Sequence, residues 1–230
     1  MTTIPFTIVD DFLDNPQEIK NYALSLKYVP EPEGRWPGKR TPFLHQINPP
    51  LYEYILRKVY NLFFEEYPVG SKVNMSFQKI EYLEGSGWPH QDTELFTFLI
   101  YLHEDDESVN CGTSIYSLKK GIPYPLHNQQ DRLKMENFMK AKFNQSKTGK
   151  MSEENLKLQK NFIENNFEKT IDIKDKFNRL ICFPSECFHS ANTFNNSTHE
   201  DRLTLVGFVE RIAFKGKHWP IIRSKQTHLL

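Results

Sequence analysis

Cysteine is scarce in this chain, and charge of either sign is not in excess. Three Cys is an odd, low count that cannot build a disulfide framework and fits a reducing compartment. Lys plus Arg equals Asp plus Glu at 29 each, so no global field selects nucleic acid or an anionic membrane as partner. A local exception is the stretch from Arg211 to Leu230, with Lys215, Lys217, Arg223 and Lys225 and no acidic residue, which reads as a solvated tail. No stretch approaches the roughly 20 apolar residues that a membrane-spanning helix needs. The start from Met1 to Thr7 carries neither a basic region nor a long apolar run, so a soluble, cytoplasmic protein is the expectation. Internal repeats and low-complexity segments are also lacking.

Aromatic residues, by contrast, are plentiful. Eighteen Phe and ten Tyr against ten Gly suggest an aromatic-rich core that contains strands. Pro5 to Leu13 reads as a short strand, and Asp14-Asn15-Pro16 as the start of a helix carrying Ile19, Tyr22, Ala23 and Leu26. Val29 to Pro50 concentrates proline and is expected to be a loop without regular structure. A second helix follows, with Leu51, Ile55, Leu56, Val59, Leu62 and Phe63 on one face. From Val73 the apolar period becomes that of strands, at 73–83, 95–102 and 112–118. Charged helical patterns occupy 132–142 and 153–167, and strand signals resume at 170–173, 178–183 and 202–211.

Strands without a βαβ rhythm argue for an antiparallel sandwich or barrel with helices packed outside it. A single domain is expected over residues 1–230. Residues 1–70 would give helical support, 73–118 and 170–212 the β core, and 119–169 a helical insertion. That insertion and the proline-rich loop 29–50 are expected to border a pocket and set its selectivity, because loops on a rigid barrel usually carry recognition.

The chemistry-bearing residues are His90-Gln91-Asp92, then His189, then Arg202. In an extended segment residues i and i+2 point to one side, so His90 and Asp92 can face one cation. His189 follows the apolar strand ending at Phe183, where a neighbouring strand would deliver a third ligand across a barrel mouth. Two His and one carboxylate suit a non-haem Fe(II), because three protein ligands leave coordination positions open for chemistry. Arg202 opens a strand and shares its face with Thr204, so a guanidinium and a hydroxyl could grip one carboxylate.

With these residues in this order, the chain resembles the 2-oxoglutarate- and Fe(II)-dependent dioxygenases, in their prolyl-4-hydroxylase-like branch. The resemblance is carried by Tyr82-x-x-Gly85 before His90-x-Asp92, by Leu99-Ile-Tyr101-Leu and Cys111-Gly-Thr-Ser-Ile-Tyr, and by Phe188-His189-Ser and Arg202-Leu-Thr. Val9-Asp-Asp-Phe-Leu and Trp36-Pro-Gly-Lys-Arg40 are similar to an uncharacterised subgroup of that superfamily. The resemblance implies a mainly β fold with flanking helices (α+β), built on a double-stranded β-helix, or jelly-roll, core. It implies iron on His90, Asp92 and His189, and Arg202 on the distal carboxylate of 2-oxoglutarate, with Thr204, Tyr82 and Tyr101 beside that co-substrate. No catalytic side chain beyond the metal ligands is implied.

The activity implied is oxidative: 2-oxoglutarate and O2 are consumed, succinate and CO2 are released, and a substrate is hydroxylated. Asp92 favours hydroxylation or demethylation, because halogenating relatives need its position vacant. One departure is Cys111-Gly112 where many members have Gly-Gly.

Other readings stay open at this stage. Cys111, Cys182, Cys187 and His189 could form a thiolate–imidazole zinc site. The barrel could be a non-catalytic binding module, or a metal enzyme that does not use 2-oxoglutarate. The substrate is not legible: a small molecule, a peptide side chain and a nucleobase all fit, and so does any oligomeric state. Gln91, Thr93, Ser190 and Asn192 are candidates to orient the imidazoles.

Overall fold

The computed structural model describes residues 6–30, 38–83, 87–104, 110–120, 152–195 and 201–215, with Tyr82, Phe194 and Asn195 as backbone only. In chain order the strands are β1 Thr7–Val9, β2 Val29–Pro30, β3 Lys39–Arg40, β4 Gly70–Ile80, β5 Tyr82–Leu83 and β6 Phe96–Tyr101. They continue as β7 Thr113–Leu118, β8 Phe167–Ile173, β9 Leu180–Pro184, β10 Phe188–Ala191, β11 Phe194–Asn195 and β12 Arg202–Ala213. The helices are α1 Pro16–Ser25, α2 Leu44–Ile47, α3 Pro49–Phe63 and α4 Glu153–Asn166. The predicted helix at 132–142, residues 31–37 of the proline-rich loop and the basic stretch beyond 215 lie outside the described residues.

Helix α3 shows how local sequence sets these elements. The Asn48 side chain accepts from the Leu51 N–H at 3.1 Å, and two prolines fill the first turn, where missing N–H groups cost nothing. Ile55, Leu56, Val59, Tyr60 and Phe63 then recur at helical spacing and are all buried. The proline-rich region before it is not wholly irregular. Val29–Pro30 and Lys39–Arg40 pair with each other, and the latter pairs with β4, so this segment closes one edge of a sheet. Proline is tolerated there because an edge strand has a side that needs no N–H donor.

Seven strands form the main sheet in the order β1-β9-β6-β12-β4-β3-β2, and three form a second sheet, β10-β7-β8. All pairings are antiparallel. An isolated bridge between His90 and His189 adds the segment after residue 87 to the free edge of β10. The chain thus passes from β4 in the main sheet to the His90 bridge in the second. It returns to β6, crosses to β7 and β8, returns to β9, crosses to β10 and ends in β12. This alternation between two antiparallel sheets is a double-stranded β-helix.

The two faces of the main sheet do different work, as the period-2 alternation of strands requires. One face carries Met75, Phe77, Phe96, Phe98, Ile100, Leu102, Leu203, Leu205 and Val209 into the principal core, against Ala23 of α1 and the buried stripe of α3. The other face looks into the barrel and carries a smaller apolar cluster of Tyr101, Ile181 and Phe183 with Ile115 and Ile173 of the second sheet. Between these groups it is polar, with Thr97, Gln78, Thr204 and Arg202 all buried. The inner face is therefore part apolar and part polar, and the larger hydrophobic mass lies on the helix side of the sheet.

Asn178 ties the N-terminal segment to this frame. It sits at φ 62°, a left-handed conformation that asparagine tolerates, and its side chain both accepts from the Leu13 N–H at 2.8 Å and donates to the Leu13 carbonyl at 3.0 Å. On the helix side of β12, Gly207 makes room for the fully buried Phe98 ring. A Cβ at that position would lie 2.1 Å from Phe98 Cζ. Gly207→Ala is therefore expected to lower stability by about 1–3 kcal/mol through overpacking. Urea unfolding with an unchanged slope would report it, and an unaltered midpoint would show that the core yields at no cost.

Candidate metal centre

His90, Asp92 and His189 come together: one ligand atom from each lies within 4.8 Å of the others. The backbone makes this meeting possible. His90 N–H donates to the His189 carbonyl at 3.0 Å and His189 N–H donates to the His90 carbonyl at 2.9 Å, so the residues face each other as an antiparallel pair. Their rings lie 4.3 Å apart between centroids. Asp92 Oδ1 is 3.8 Å from His90 Nε2, and Asp92 Oδ2 is 3.4 Å from His189 Nε2.

Each imidazole is oriented by its own chain. His90 Nδ1 is 2.8 Å from the Trp88 carbonyl, and His189 Nδ1 is 2.9 Å from the Cys187 carbonyl. A carbonyl only accepts, so both Nδ1 atoms carry the proton and both Nε2 atoms present a lone pair toward Asp92. Burial pushes the His189 imidazole down to about 4, which keeps it neutral and fit to donate that lone pair. None of Gln91, Thr93, Ser190 and Asn192 fills this orienting place. Gln91 instead donates to the Glu186 carbonyl at 2.5 Å, while Ser190 donates to the Tyr116 hydroxyl.

Asp92 is held by side chains that sequence reasoning did not single out. Thr97 Oγ1 donates to Asp92 Oδ2 at 2.6 Å and stands 3.0 Å from the Ser185 hydroxyl, which in turn must supply its own proton to Thr97. The Ser185 carbonyl also accepts from the Asp92 N–H at 2.9 Å. Thr97 was findable as an inward position of a strand five residues after a candidate ligand. Ser185, distant in sequence, was not. Beside this group Trp88 is buried and packs on Phe162 of α4, with ring centroids 4.5 Å apart, so α4 braces the segment that carries His90.

Arg202 and Thr204 lie farther along the same inner face. Arg202 is 2% exposed, yet no acidic side chain pairs with it among the described residues. Its Nε donates to the Cys111 carbonyl at 2.5 Å and its Nη2 faces the Gly112 carbonyl at 3.5 Å, which leaves its other donors for something else. Thr204 is fully buried, and its hydroxyl has no hydrogen-bond partner. Tyr101 stands directly opposite Thr204 in the sheet; its ring lies under the Arg202 guanidinium at 5.3 Å, and its hydroxyl is 2.7 Å from Thr113 Oγ1. Burial pushes that phenol up, so it stays neutral. Tyr82 is placed through its backbone, opposite Asn195, and its expected role lies outside the described atoms.

The zinc alternative finds no geometry among the described residues. Cys182 points into the helix-side core, Cys111 packs with Ile80 and Leu83, and Cys111 and His189 fall in two different groups of potential ligands, so no two members of that set come together at one site.

The fold and the site together define a jelly roll with a cluster of two His and one carboxylate where the segment of His90 pairs with β10. Residues 2–209 match the model of a family of unknown function, DUF6445, and the chain belongs to that family. No curated protein matches it in sequence. Among solved structures it is similar to a Pseudomonas putida prolyl-4-hydroxylase, at 12% identity and a TM-score of 0.43 over 90% of this chain and 92% of that one. It is also similar to HygX from Streptomyces hygroscopicus, solved with nickel and 2-oxoglutarate bound, at 13% identity and a TM-score of 0.49 over 94% and 86%. A prolyl hydroxylase from Trichoplax adhaerens follows at 15% identity and a TM-score of 0.45 over 89% and 83%. At such identities the activity has to be argued from this chain's own residues.

The Thr97 hydroxyl is expected to matter to metal affinity although it is not a ligand. Thr97→Val, close in shape, should weaken divalent-metal binding by roughly 10- to 100-fold, as loss of a ligand's hydrogen-bonding partner usually does. Competition against a metal-sensitive dye measures this, and unchanged affinity in the folded variant would contradict the assigned support.

Proposed function

We propose that the protein is an Fe(II)- and 2-oxoglutarate-dependent dioxygenase of the hydroxylase type, organised as one domain on its jelly-roll core. The observation that carries this reading is the state of Arg202 and Thr204. A buried guanidinium without an acidic partner among the described residues is costly to keep. Beside it is a buried hydroxyl with no partner, on the inner face of the main sheet that also carries Thr97, the residue hydrogen-bonded to Asp92 of the His90–Asp92–His189 cluster. A dicarboxylate that reaches from that cluster to Arg202 would satisfy all of these groups at once.

Bound iron and 2-oxoglutarate would supply the oxidising chemistry, using O2, yielding succinate and CO2, and passing a hydroxyl to the substrate. The protein's share is placement and shielding. His90, Asp92 and His189 would hold the metal, and three protein ligands would leave coordination positions open for chemistry. Arg202, steadied by the Cys111 and Gly112 carbonyls, would bind the distal carboxylate, and Thr204 would donate its hydroxyl to it. Tyr101, beneath the guanidinium, would keep water from the Arg202 end, and the apolar side chains of Phe183 and Ile115 would do so nearer His189. The substrate is a small molecule, a peptide side chain or a nucleobase, and no helix among the described residues is long and apolar enough to cross a membrane.

An enzyme on the same barrel that used the metal without 2-oxoglutarate would have no need of Arg202. The test is an anaerobic titration of the metal-free protein with Fe(II) and then 2-oxoglutarate, followed by the visible metal-to-ligand charge-transfer band. Wild type should develop the band and His90→Ala should not. Arg202→Ala should need roughly 10- to 100-fold more 2-oxoglutarate, the equivalent of a charge-assisted contact of about 1.5–3 kcal/mol. A folded, iron-loaded wild type without a band would rule the assignment out.

A further inference from the structure

A second buried polar group lies behind Arg202, and we infer that the His103–Asp175 ion pair positions Arg202 for the dicarboxylate by holding both the strand that carries it and the loop that receives it. This rests on the function proposed above. The connections form a closed ring. Arg202 Nε donates to the Cys111 carbonyl at 2.5 Å. Cys111 N–H donates to Asp175 Oδ1 at 2.8 Å, and Asp175 Oδ2 meets His103 Nε2 at 2.8 Å. His103 Nδ1 lies 3.2 Å from the carbonyl of Leu203, the residue next to Arg202. Every member is interior, with the His103 and Asp175 side chains 5% and 2% exposed.

The two ring nitrogens of His103 face two oxygens, the Leu203 carbonyl on one side and the Asp175 carboxylate on the other, so the ring bridges β12 to the carboxylate. Burial alone would raise the Asp175 carboxyl. The hydrogen bond and charge of His103, with the Cys111 N–H, nevertheless hold it below the usual carboxylate range. The pair is therefore balanced in itself and leaves the Arg202 charge to be met by something else.

The receiving loop is equally constrained from its other side. Gly112 has no room for a side chain, because a Cβ would lie 1.8 Å from the Ile173 carbonyl. Its N–H donates to Asn110 Oδ1 at 3.1 Å, and its carbonyl accepts from the Asn192 N–H at 3.1 Å. Arg202 thus leans on two carbonyls whose peptides are pinned on both flanks. Removing the Asp175 carboxylate would free the Cys111 peptide and let the guanidinium drift from the place where a carboxylate can meet it.

His103, Cys111 and Asp175 also come within 4.8 Å of one another, the grouping that a second metal would need. Both Asp175 oxygens are already engaged by N–H donors, which favours the ion pair.

The experiment is 2-oxoglutarate binding to Fe(II)-loaded, oxygen-free protein, in wild type, Asp175→Ala and Asp175→Asn, each repeated in an Arg202→Ala background. Asp175→Ala should raise the 2-oxoglutarate Kd roughly tenfold and leave the Fe(II) Kd within about twofold, a loss of the size of one buried hydrogen bond. Asp175→Asn, which keeps an acceptor for the Cys111 N–H, should stay within about threefold of wild type. In the Arg202→Ala background the Asp175→Ala effect should vanish, because a residue that acts through another is not additive with it. The same loss in both backgrounds, or an equal loss of Fe(II) affinity, would mean a merely structural role and overturn the inference. So would a second bound metal that His103→Gln removes. If Asp175→Ala does not fold, His103→Gln carries the same comparison. A wild type that fails to bind 2-oxoglutarate defeats the proposed function itself, whereas a wild type that binds it, weakened by Arg202→Ala but not by Asp175→Ala, defeats only this inference.

Discussion

The reciprocal backbone pairing of His90 with His189 is the contact on which the candidate site depends. Two N–H···O bonds of 3.0 and 2.9 Å join His90 to the first half of β10. They bring together histidines ninety-nine positions apart. Because His90 and Asp92 are two residues apart in extended chain, the same pairing delivers the carboxylate as well. Each imidazole then takes its orientation from the carbonyl two residues before it. The geometry of three side chains is thus written mostly in backbone hydrogen bonds, which side-chain variation elsewhere leaves intact.

Around this contact the molecule separates its tasks by face. Apolar strength lies between the main sheet and α1 and α3, where Phe77, Phe96, Phe98 and Leu205 are fully buried. The opposite face of the same strands is free to be polar, and it holds Thr97 near one end and Thr204, Gln78 and Arg202 near the other. A sheet that obtained its stability from the cleft side could not keep a guanidinium and an unpartnered hydroxyl there. A buried guanidinium that meets only carbonyls among the described residues, beside a hydroxyl without a partner, is expensive to keep, and the dicarboxylate proposed above would offset that cost.

Much of this was legible in the sequence. The period-2 runs located β4, β6, β7, β9 and β12 to within a few residues, and the three- and four-residue spacing located α1 and α3. His90, Asp92, His189 and Arg202 stood out because their spacing and strand context matched a known chemistry. The proline-rich segment was misread as lacking strands, because β2 and β3 have two residues each and exist only through pairing at a sheet edge. Strand β10, the neighbouring strand expected to deliver His189, has no visible period of its own, since Phe-His-Ser-Ala is too short to show one.

The supporting groups were hidden for a different reason. Ser185 meets Thr97, and Asp175 meets His103, across sequence separations that only the fold closes. A buried His103 looks in sequence like any core histidine. Its importance comes from two acceptors, one contributed by β12 and one by the segment between β8 and β9.

The most direct test of the central claim is a crystal grown without oxygen and soaked with Fe(II) and 2-oxoglutarate, examined at the iron absorption edge. The account predicts one anomalous peak bounded by His90 Nε2, His189 Nε2 and Asp92, with 2-oxoglutarate density running from it to Arg202 and the Thr204 hydroxyl. Iron bound elsewhere, or iron at the triad with no co-substrate density reaching Arg202 at saturating concentration, would contradict it.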